Sequence, residues 1–244
     1  MVEPTRRLDI ALVERGFFAS RAKAREAIEA GLVKTDGRIA TKPSEPVGAE
    51  TSIEAAPVYA WVSRGGVKLA AALDAFAIDP AGLCCLDIGA STGGFTDVLL
   101  ARGAESVTCV DVGHGQLHPK IAADARVKSL EKTDARGLAA SDLLAPPALV
   151  VVDVSFISLE RILAPVLALA PPGAKLVALI KPQFEAGSDN VKKGIVRDAS
   201  IHADVCARID KHIAGLGWRK IGLIASPIAG GDGNREFLIG AQRP

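Results

Sequence analysis

Leu83-Cys84-Cys85-Leu86-Asp87-Ile88-Gly89-Ala90-Ser91-Thr92-Gly93-Gly94-Phe95-Thr96 is an apolar run that ends in a glycine-rich turn. It reads as a buried strand whose turn leads straight into a helix. Glycine carries no Cβ, so backbone N–H groups at the helix N-terminus can approach a bound cofactor closely. The spacing D-x-G-x-x-x-G-G differs from the G-x-G-x-x-G that cradles a dinucleotide pyrophosphate, which makes NAD a poor first choice. Tight packing alone also produces such turns, so the rest of the chain has to decide.

From Ser63 onward, strand and helix patterns alternate around this segment. A helix carries Val67, Leu69, Leu73 and Phe76, and strands are expected near 83–88, 106–112, 126–130, 148–154, 174–181, 218–225 and 236–241. Alternation of this kind builds a doubly wound parallel sheet. Between the last two strands, residues 226–235 are too few for a parallel crossover, so the final strand should run antiparallel. The expectation is an α/β fold: a Rossmann-like sheet of seven strands, the last antiparallel, over 63–244. The turn itself resembles the first motif of Rossmann-like S-adenosylmethionine (SAM) methyltransferases, where it faces the cofactor's methionine and ribose. That resemblance implies SAM as cofactor, held by Asp87, Gly89, Ala90, Ser91, Thr92, Gly93, Gly94, Phe95 and Thr96. Ligands of open α/β sheets bind beyond the carboxyl ends of the strands. Asp111 ends the second strand twenty-four residues after Asp87, with Val112 beside it, a position suited to accepting hydrogen bonds from ribose hydroxyls. Asp134, next to Ala135 after the third strand, is a candidate for the adenine amino group, or a cap for the next helix.

Composition narrows the class. The chain has 244 residues, 49% of them apolar, and a formal charge of +1, so no global field points to nucleic acid. Any such site must come from local clustering. The opening residues lead into no long apolar run, and 162–180, the most apolar stretch, is interrupted by Pro165, Pro171, Pro172, Gly173 and Lys175. No membrane partner is expected, and the reading is cytoplasmic. Four cysteines, Cys84, Cys85, Cys109 and Cys206, lie in separate or opposed positions and read as buried free thiols in a reducing compartment, with no metal site.

Residues 1–58 form a second, smaller pattern, followed by a linker over 59–62. Leu8, Ala11 and Leu12 share one helical face; Ser20 is an N-cap for a second helix with Ala24, Ala27 and Ile28 inward, ending at Gly31. Asp36-Gly37 between two short apolar runs signals a hairpin. The pieces R-L-D-x-x-L-V within 6–13 (ending in Val13), S-R-x-x-A at 20–24 and G-x-V-x-x-D-G at 31–37 resemble, in order, the small RNA-binding domain of ribosomal small-subunit protein four. The resemblance implies RNA contacts from Arg6, Arg7, Ser20, Arg21, Lys23, Arg25 and Lys34, with Arg64 adding a cation past the linker. Residues 1–60 hold nine Lys/Arg against nine Asp/Glu, so placement and not charge excess carries this reading.

The fourth strand ends in Asp153-Val154-Ser155-Phe156. Enzymes that methylate exocyclic amines of bases usually carry (Asn/Asp)-Pro-Pro-(Tyr/Phe) there, and those that methylate carbon five of pyrimidines use a cysteine after the fourth or fifth strand. Both features are missing, which leaves a ribose hydroxyl. Lys68, Asp153, Lys181 and Glu236, in that order, match the Lys-Asp-Lys-Glu tetrad of ribose 2′-O-methyltransferases. A ribose 2′-hydroxyl is a poor nucleophile and must lose its proton as the methyl moves. Lys181 is the candidate acceptor, with Lys68 beside it and Asp153 and Glu236 orienting the two amines.

The whole chain resembles the TlyA (hemolysin A) family, cytidine 2′-O-methyltransferases of ribosomal RNA that join a small RNA-binding domain to an FtsJ-type methyltransferase domain. The segments S-R-G-G-V-K-L, D-I-G-A-S-T-G-G-F-T, V-D-V-S-F-I-S-L, L-I-K-P-Q-F-E and G-N-R-E-F-L carry the resemblance. It implies a ribosomal RNA or ribosomal subunit as partner, with no obligate protein partner, and a large-subunit cytidine at the intersubunit bridge as target. Longer members also modify small-subunit RNA; the short flanks here suggest the single-target kind. Tyr59-Ala60 departs from relatives that carry a basic residue in the linker. A SAM-binding assembly factor without catalysis and a membrane-active hemolysin are the competing classes. The loop 183–197, with Lys192, Lys193 and Arg197, either contacts RNA or closes over the site.

Overall fold

The computed structural model describes residues 5–244 and divides into two compact units, Met1–Ala60 and Trp61–Pro244. The smaller unit opens with a short strand β1 (Arg6–Arg7) and helix α1 (Leu8–Glu14), followed by α2 (Arg21–Glu29). Ser20 starts α2, its hydroxyl accepting the Lys23 N–H at 3.4 Å, and Gly31 ends it with φ +71°, a left-handed conformation that costs a glycine nothing. Strands β2 (Val33–Thr35) and β3 (Arg38–Ile39) pair across Asp36 and Gly37, both at positive φ, as a tight hairpin of this hand requires. Strands β4 (Pro46–Val47) and β5 (Ile53–Ala55) close the unit on β1 and β2. Leu8, Leu12, Ala24, Ala27, Ile28 and Val33 are fully buried and form its core.

The larger unit begins with α3 (Gly65–Ala75) and continues as β6 (Cys84–Ile88), α4 (Gly94–Ala101), β7 (Ser106–Val110), α5 (Pro119–Ala122) and β8 (Val127–Leu130). Then come β9 (Leu149–Val152), α6 (Leu159–Ala168), β10 (Lys175–Ile180), α7 (Pro182–Glu185), α8 (Ala199–Gly215), β11 (Arg219–Ala225) and β12 (Phe237–Gln242). One seven-stranded sheet has the order β11-β12-β10-β9-β6-β7-β8. The strands from β10 through β8 are parallel to their neighbours, and β12 runs antiparallel to both β10 and β11. The predicted reversal follows from chain length: only a short turn and a single 3-10 helix, Gly231–Gly233, separate β11 from β12.

Both faces of the sheet are covered. On one, Leu69 and Leu73 of α3 and Val98 and Leu99 of α4 pack on Val107, Val151 and Leu179; on the other, Leu163 of α6 and Ile209 and Ile213 of α8 pack on Val150, Leu176 and Ile239. Every residue of β9 is buried, which explains its unbroken apolar run Leu149-Val150-Val151-Val152. Burial of each such Leu, Ile or Val contributes roughly 1.5–3 kcal/mol. Burial pushes the thiols of Cys85 and Cys109 up to about 12, so both remain protonated at neutral pH.

Candidate functional site

The strand ends gather the predicted site residues along the carboxyl edge of the parallel strands. A cavity of about 490 Å³ opens there, a size suited to a cofactor. Gly89, Ser91, Asp111, Val112, Asp134, Ala135 and Asp153 line it, together with Gln116, Ser155 and Phe156. Gly89 has φ +81°, and a Cβ there would lie 2.3 Å from the Asp153 carbonyl oxygen, so only glycine lets β6 and β9 approach this closely. Asp111 accepts the Ser91 N–H at 2.8 Å and the Gly113 N–H at 2.7 Å. Two donors leave acceptor capacity on its carboxylate for hydroxyls in the cavity. Val112 is an aliphatic side chain left 74% exposed beside it.

Other predicted cofactor residues shape the turn without lining this cavity. Asp87 is fully buried and accepts from Thr96 Oγ1 at 2.6 Å; its second oxygen has no partner among the described residues. Loss of hydration pushes its carboxyl up to about 7, against the partial relief of the Thr96 hydrogen bond. Phe95 packs into the core, and Gly94 passes so close to Ser63 that a Cβ would sit 2.0 Å from its hydroxyl. Gly93 starts α4 at φ +88°, facing Leu117 and Ile121. Ala90 is buried, and the Thr92 carbonyl accepts the His118 N–H. Asp134 lines the cavity but is also a cap: it accepts the Arg136 N–H at 2.9 Å and holds the Arg136 guanidinium at 2.6 Å. The capping alternative is therefore realised, and the adjoining Arg136 holds Asp134 well below the usual carboxylate range, at about 2.

The tetrad forms two ion pairs. Lys68, on the first turn of α3, meets Glu236 at 2.5 Å, and both are almost wholly buried. Lys181, immediately after β10, lies 2.5 Å from Asp153 at the end of β9 and donates to Ser155 Oγ at 2.9 Å. Asp153 Oδ1 makes a close charge contact without hydrogen-bond geometry, which leaves it formally unpartnered. The pairing of Ile180 with Phe237 brings Lys181 and Glu236 to the same sheet edge, and the antiparallel course of β12 places its start, not its end, at the site.

Two supporting residues escaped sequence reasoning. Phe156 is 89% exposed at φ +65°, rare for a bulky side chain, and its ring meets Phe184 at 4.9 Å. Glu185 is buried and ties α7 to the loop after β9, accepting from Ser158 Oγ at 2.7 Å and the Leu159 N–H at 2.8 Å. Its burial raises its proton affinity. A glutamate in L-I-K-P-Q-F-E was visible, but not the partner it reaches across twenty-six residues.

In the smaller unit, buried Asp9 gathers Arg7, Arg21 and Arg25, at 3.0, 2.9 and 3.0 Å. Chiefly through Arg7, and against its own burial, its carboxyl is held far below the ordinary range. The three guanidiniums stay about half exposed. Arg6 pairs with Glu14 and Lys34 with Glu54 at the surface; Ser20 serves as the helix cap, and Lys23 is half-buried on the first turn of α2. In the larger unit, Arg64 donates to the Ala229 carbonyl at 2.8 Å.

Comparison with known proteins gives the same division. Residues 61–243 match the FtsJ-like methyltransferase family and residues 6–53 the S4 domain. The 16S/23S rRNA (cytidine-2′-O)-methyltransferase TlyA of Mycobacterium tuberculosis is 45% identical over 96% of this chain and 88% of its own. The 23S rRNA (cytidine-2′-O)-methyltransferase TlyA of Campylobacter jejuni is 36% identical over 73% of this chain and 69% of its own. A solved structure from Streptococcus thermophilus, named as a candidate hemolysin, superposes with a TM-score of 0.78 at 40% identity, covering 98% of this chain and 89% of the other. With its S4 domain, its FtsJ-like sheet and these relatives along nearly its whole length, the chain belongs to the TlyA (hemolysin A) family of methyltransferases.

Proposed function

We propose that this protein transfers the methyl group of SAM to the ribose 2′-oxygen of a cytidine in ribosomal RNA, with large-subunit RNA as its substrate. The observation that carries the reading is the Lys181–Asp153 pair at 2.5 Å on the rim of a cavity whose other wall is the glycine turn. The names of both rRNA-methylating relatives include 23S, which supports the large subunit. No helix among the described residues is long and apolar enough to cross a membrane.

The residues present fit SAM. Asp111 has free acceptor capacity for a ribose diol, and exposed Val112 offers an apolar face to a purine ring. When bound, SAM supplies an electrophilic methyl on a sulfonium whose charge disappears on transfer. Lys181 Nζ, fixed by Asp153 and Ser155, holds the incoming 2′-hydroxyl, and the Lys181–Asp153 pair takes up its proton as the methyl moves. Lys68 and Glu236 neutralise each other in a nearly dry setting and hold the start of β12 against α3. Correct aim of the oxygen at the methyl carbon supplies much of the acceleration, since well-oriented reactants gain on the order of 7–11 kcal/mol. The exposed Phe156 ring offers a stacking face for the target base or its neighbour.

The test is transfer of radiolabelled methyl from SAM to purified large and small subunits, followed by nucleoside digestion. Label recovered as 2′-O-methylcytidine from the large subunit, and abolished in Lys181→Ala, is the expected result. Label on the small subunit alone, or on a base, overturns the reading.

A further inference from the structure

A second depression, of about 410 Å³, opens at this end of the sheet, and the mechanism above does not use it. Val196, Arg197, His202, Asp232 and Arg235 are among the residues that line it. It belongs to the face opposite Lys68. Side chains alternate along a strand: Glu236 reaches Lys68 on α3, whereas Phe237 packs with α6 and α8 residues. Arg235 lies with Phe237, its guanidinium 5.5 Å from the ring centre, and His202 meets the same ring edge-on at 5.6 Å.

The walls are held by specific bonds. Asn234, 2% exposed, donates to the carbonyls of Gly194 and Gly231 and accepts the Val196 N–H, so one amide locks both loops together. The Val196 carbonyl is bonded by His202 Nε2 at 3.0 Å; a carbonyl only accepts, so that nitrogen carries the proton. Arg197 follows directly on this doubly held residue. Arg197 and Arg235 pair with no carboxylate among the described residues, and both are exposed. The first turn of α8 is already capped by Asp198, so attraction for an anion rests on the two guanidiniums, with Asp232 as the opposing charge.

We infer that this depression binds a backbone phosphate of the RNA substrate, close to the nucleotide whose ribose is methylated. The inference rests on the function proposed above. Arg235 precedes Glu236, whose strand start pairs with the residue before Lys181, so the depression borders the reacting edge. A ribose held at Lys181 has phosphates on both flanking linkages, and planar guanidinium forks match phosphate oxygens better than they match any neutral group. The loop carrying Arg197 thereby contacts RNA instead of closing over the site.

The test measures binding of large ribosomal subunits to the full chain across a potassium chloride series at fixed magnesium, for wild type, Arg197→Gln, Arg235→Gln and Arg235→Lys. Removing one cation from a phosphate should flatten log Kobs against log[salt] by about 0.7 to 0.9. The KM for subunits should rise about threefold to fivefold for each Gln variant, the scale of a solvent-screened ion pair, and Arg235→Lys should keep the wild-type slope. SAM affinity and thermal midpoint verify that the variants are folded. Unchanged slopes in both Gln variants, with wild type methylating normally, overturn the inference alone. Absence of methylation in wild type overturns the function reading, and this one with it. If the variants lose binding to assembled subunits but bind protein-free rRNA with the wild-type slope, the depression holds acidic side chains of a ribosomal protein, and the phosphate assignment falls.

Discussion

Thr96 Oγ1 donates to Asp87 Oδ2 at 2.6 Å, beneath the glycine turn, while the other oxygen of Asp87 stays buried and unbonded. A carboxyl that loses its hydration resists ionisation; burial outweighs the hydrogen bonding from Thr96, and Asp87 is pushed up to about 7 from 3.8. The folded form then holds its proton over a range where the unfolded chain has already released it. Stability from this group is full below about pH 4 and is lost as pH rises through 7. At about 1.4 kcal/mol for each tenfold change in proton affinity, the loss amounts to a few kcal/mol. Denaturant unfolding at pH 5 and pH 8 should show a drop in wild type that Asp87→Asn lacks; parallel drops would refute the assignment.

The buried Lys68–Glu236 pair gives a second prediction. Removing one partner strands the other charge, so Lys68→Met and Glu236→Gln should each cost about 3–5 kcal/mol, and the double variant less than their sum. A double-mutant cycle from denaturant midpoints checks this. Additive losses would mean that the two side chains do not share an interaction.

Lys181→Ala should abolish methyl transfer, by about a hundredfold or more, and keep SAM affinity by calorimetry, because Lys181 does not line the cavity proposed for SAM. Comparable loss of SAM affinity would place Lys181 in cofactor binding instead.

Phe156 separates stability from activity. Its φ of +65° is strained for any residue but glycine, and its ring is almost wholly in solvent. Phe156→Gly should leave the thermal midpoint level or raised, since such strain costs on the order of 1–3 kcal/mol. It should also lower methylation of subunits through loss of a stacking face. A variant that is less stable and fully active would remove Phe156 from substrate binding.

Asp9 sets the geometry of three arginines in the S4 domain. Its depressed pKa means that this stability is present above the unfolded value near 4 and is lost as pH falls below it. Asp9→Asn should therefore raise amide exchange in residues 8–29 of the intact protein at pH 7, with the difference from wild type shrinking on acidification. Equal protection at pH 7 would count against Asp9 as the organiser.

The sheet was legible in the sequence because apolar runs of four to six residues recur between helical patterns, and because residues 226–235 are too few to cross over. The four tetrad residues were named by order and resemblance, and Asp153, Lys181 and Glu236 lie at strand ends that those same runs fix; which carboxylate meets which amine was not legible. Asp9, Glu185 and the left-handed Phe156 were not. Each depends on a partner in another element or on a backbone angle, and neither leaves a periodic trace. Asp134 was ambiguous for the same reason: Arg136, two residues on, decides its role as a cap. The hydrogen bond between Asp87 and Thr96 below the turn was likewise not legible, since nine residues separate the two in sequence.

At Gly89 the strand bearing the glycine turn touches the Asp153 carbonyl, main chain against main chain. The spacing between that turn and the strand end carrying Asp153 is thus set by peptide geometry, which side-chain substitution hardly alters. On the proposed reading, residues around the cavity can drift and retune affinity for the methyl donor while that spacing holds. A shift to a different acceptor nucleotide would then come from the loops that present the RNA, while the cradle stays a fixed gauge.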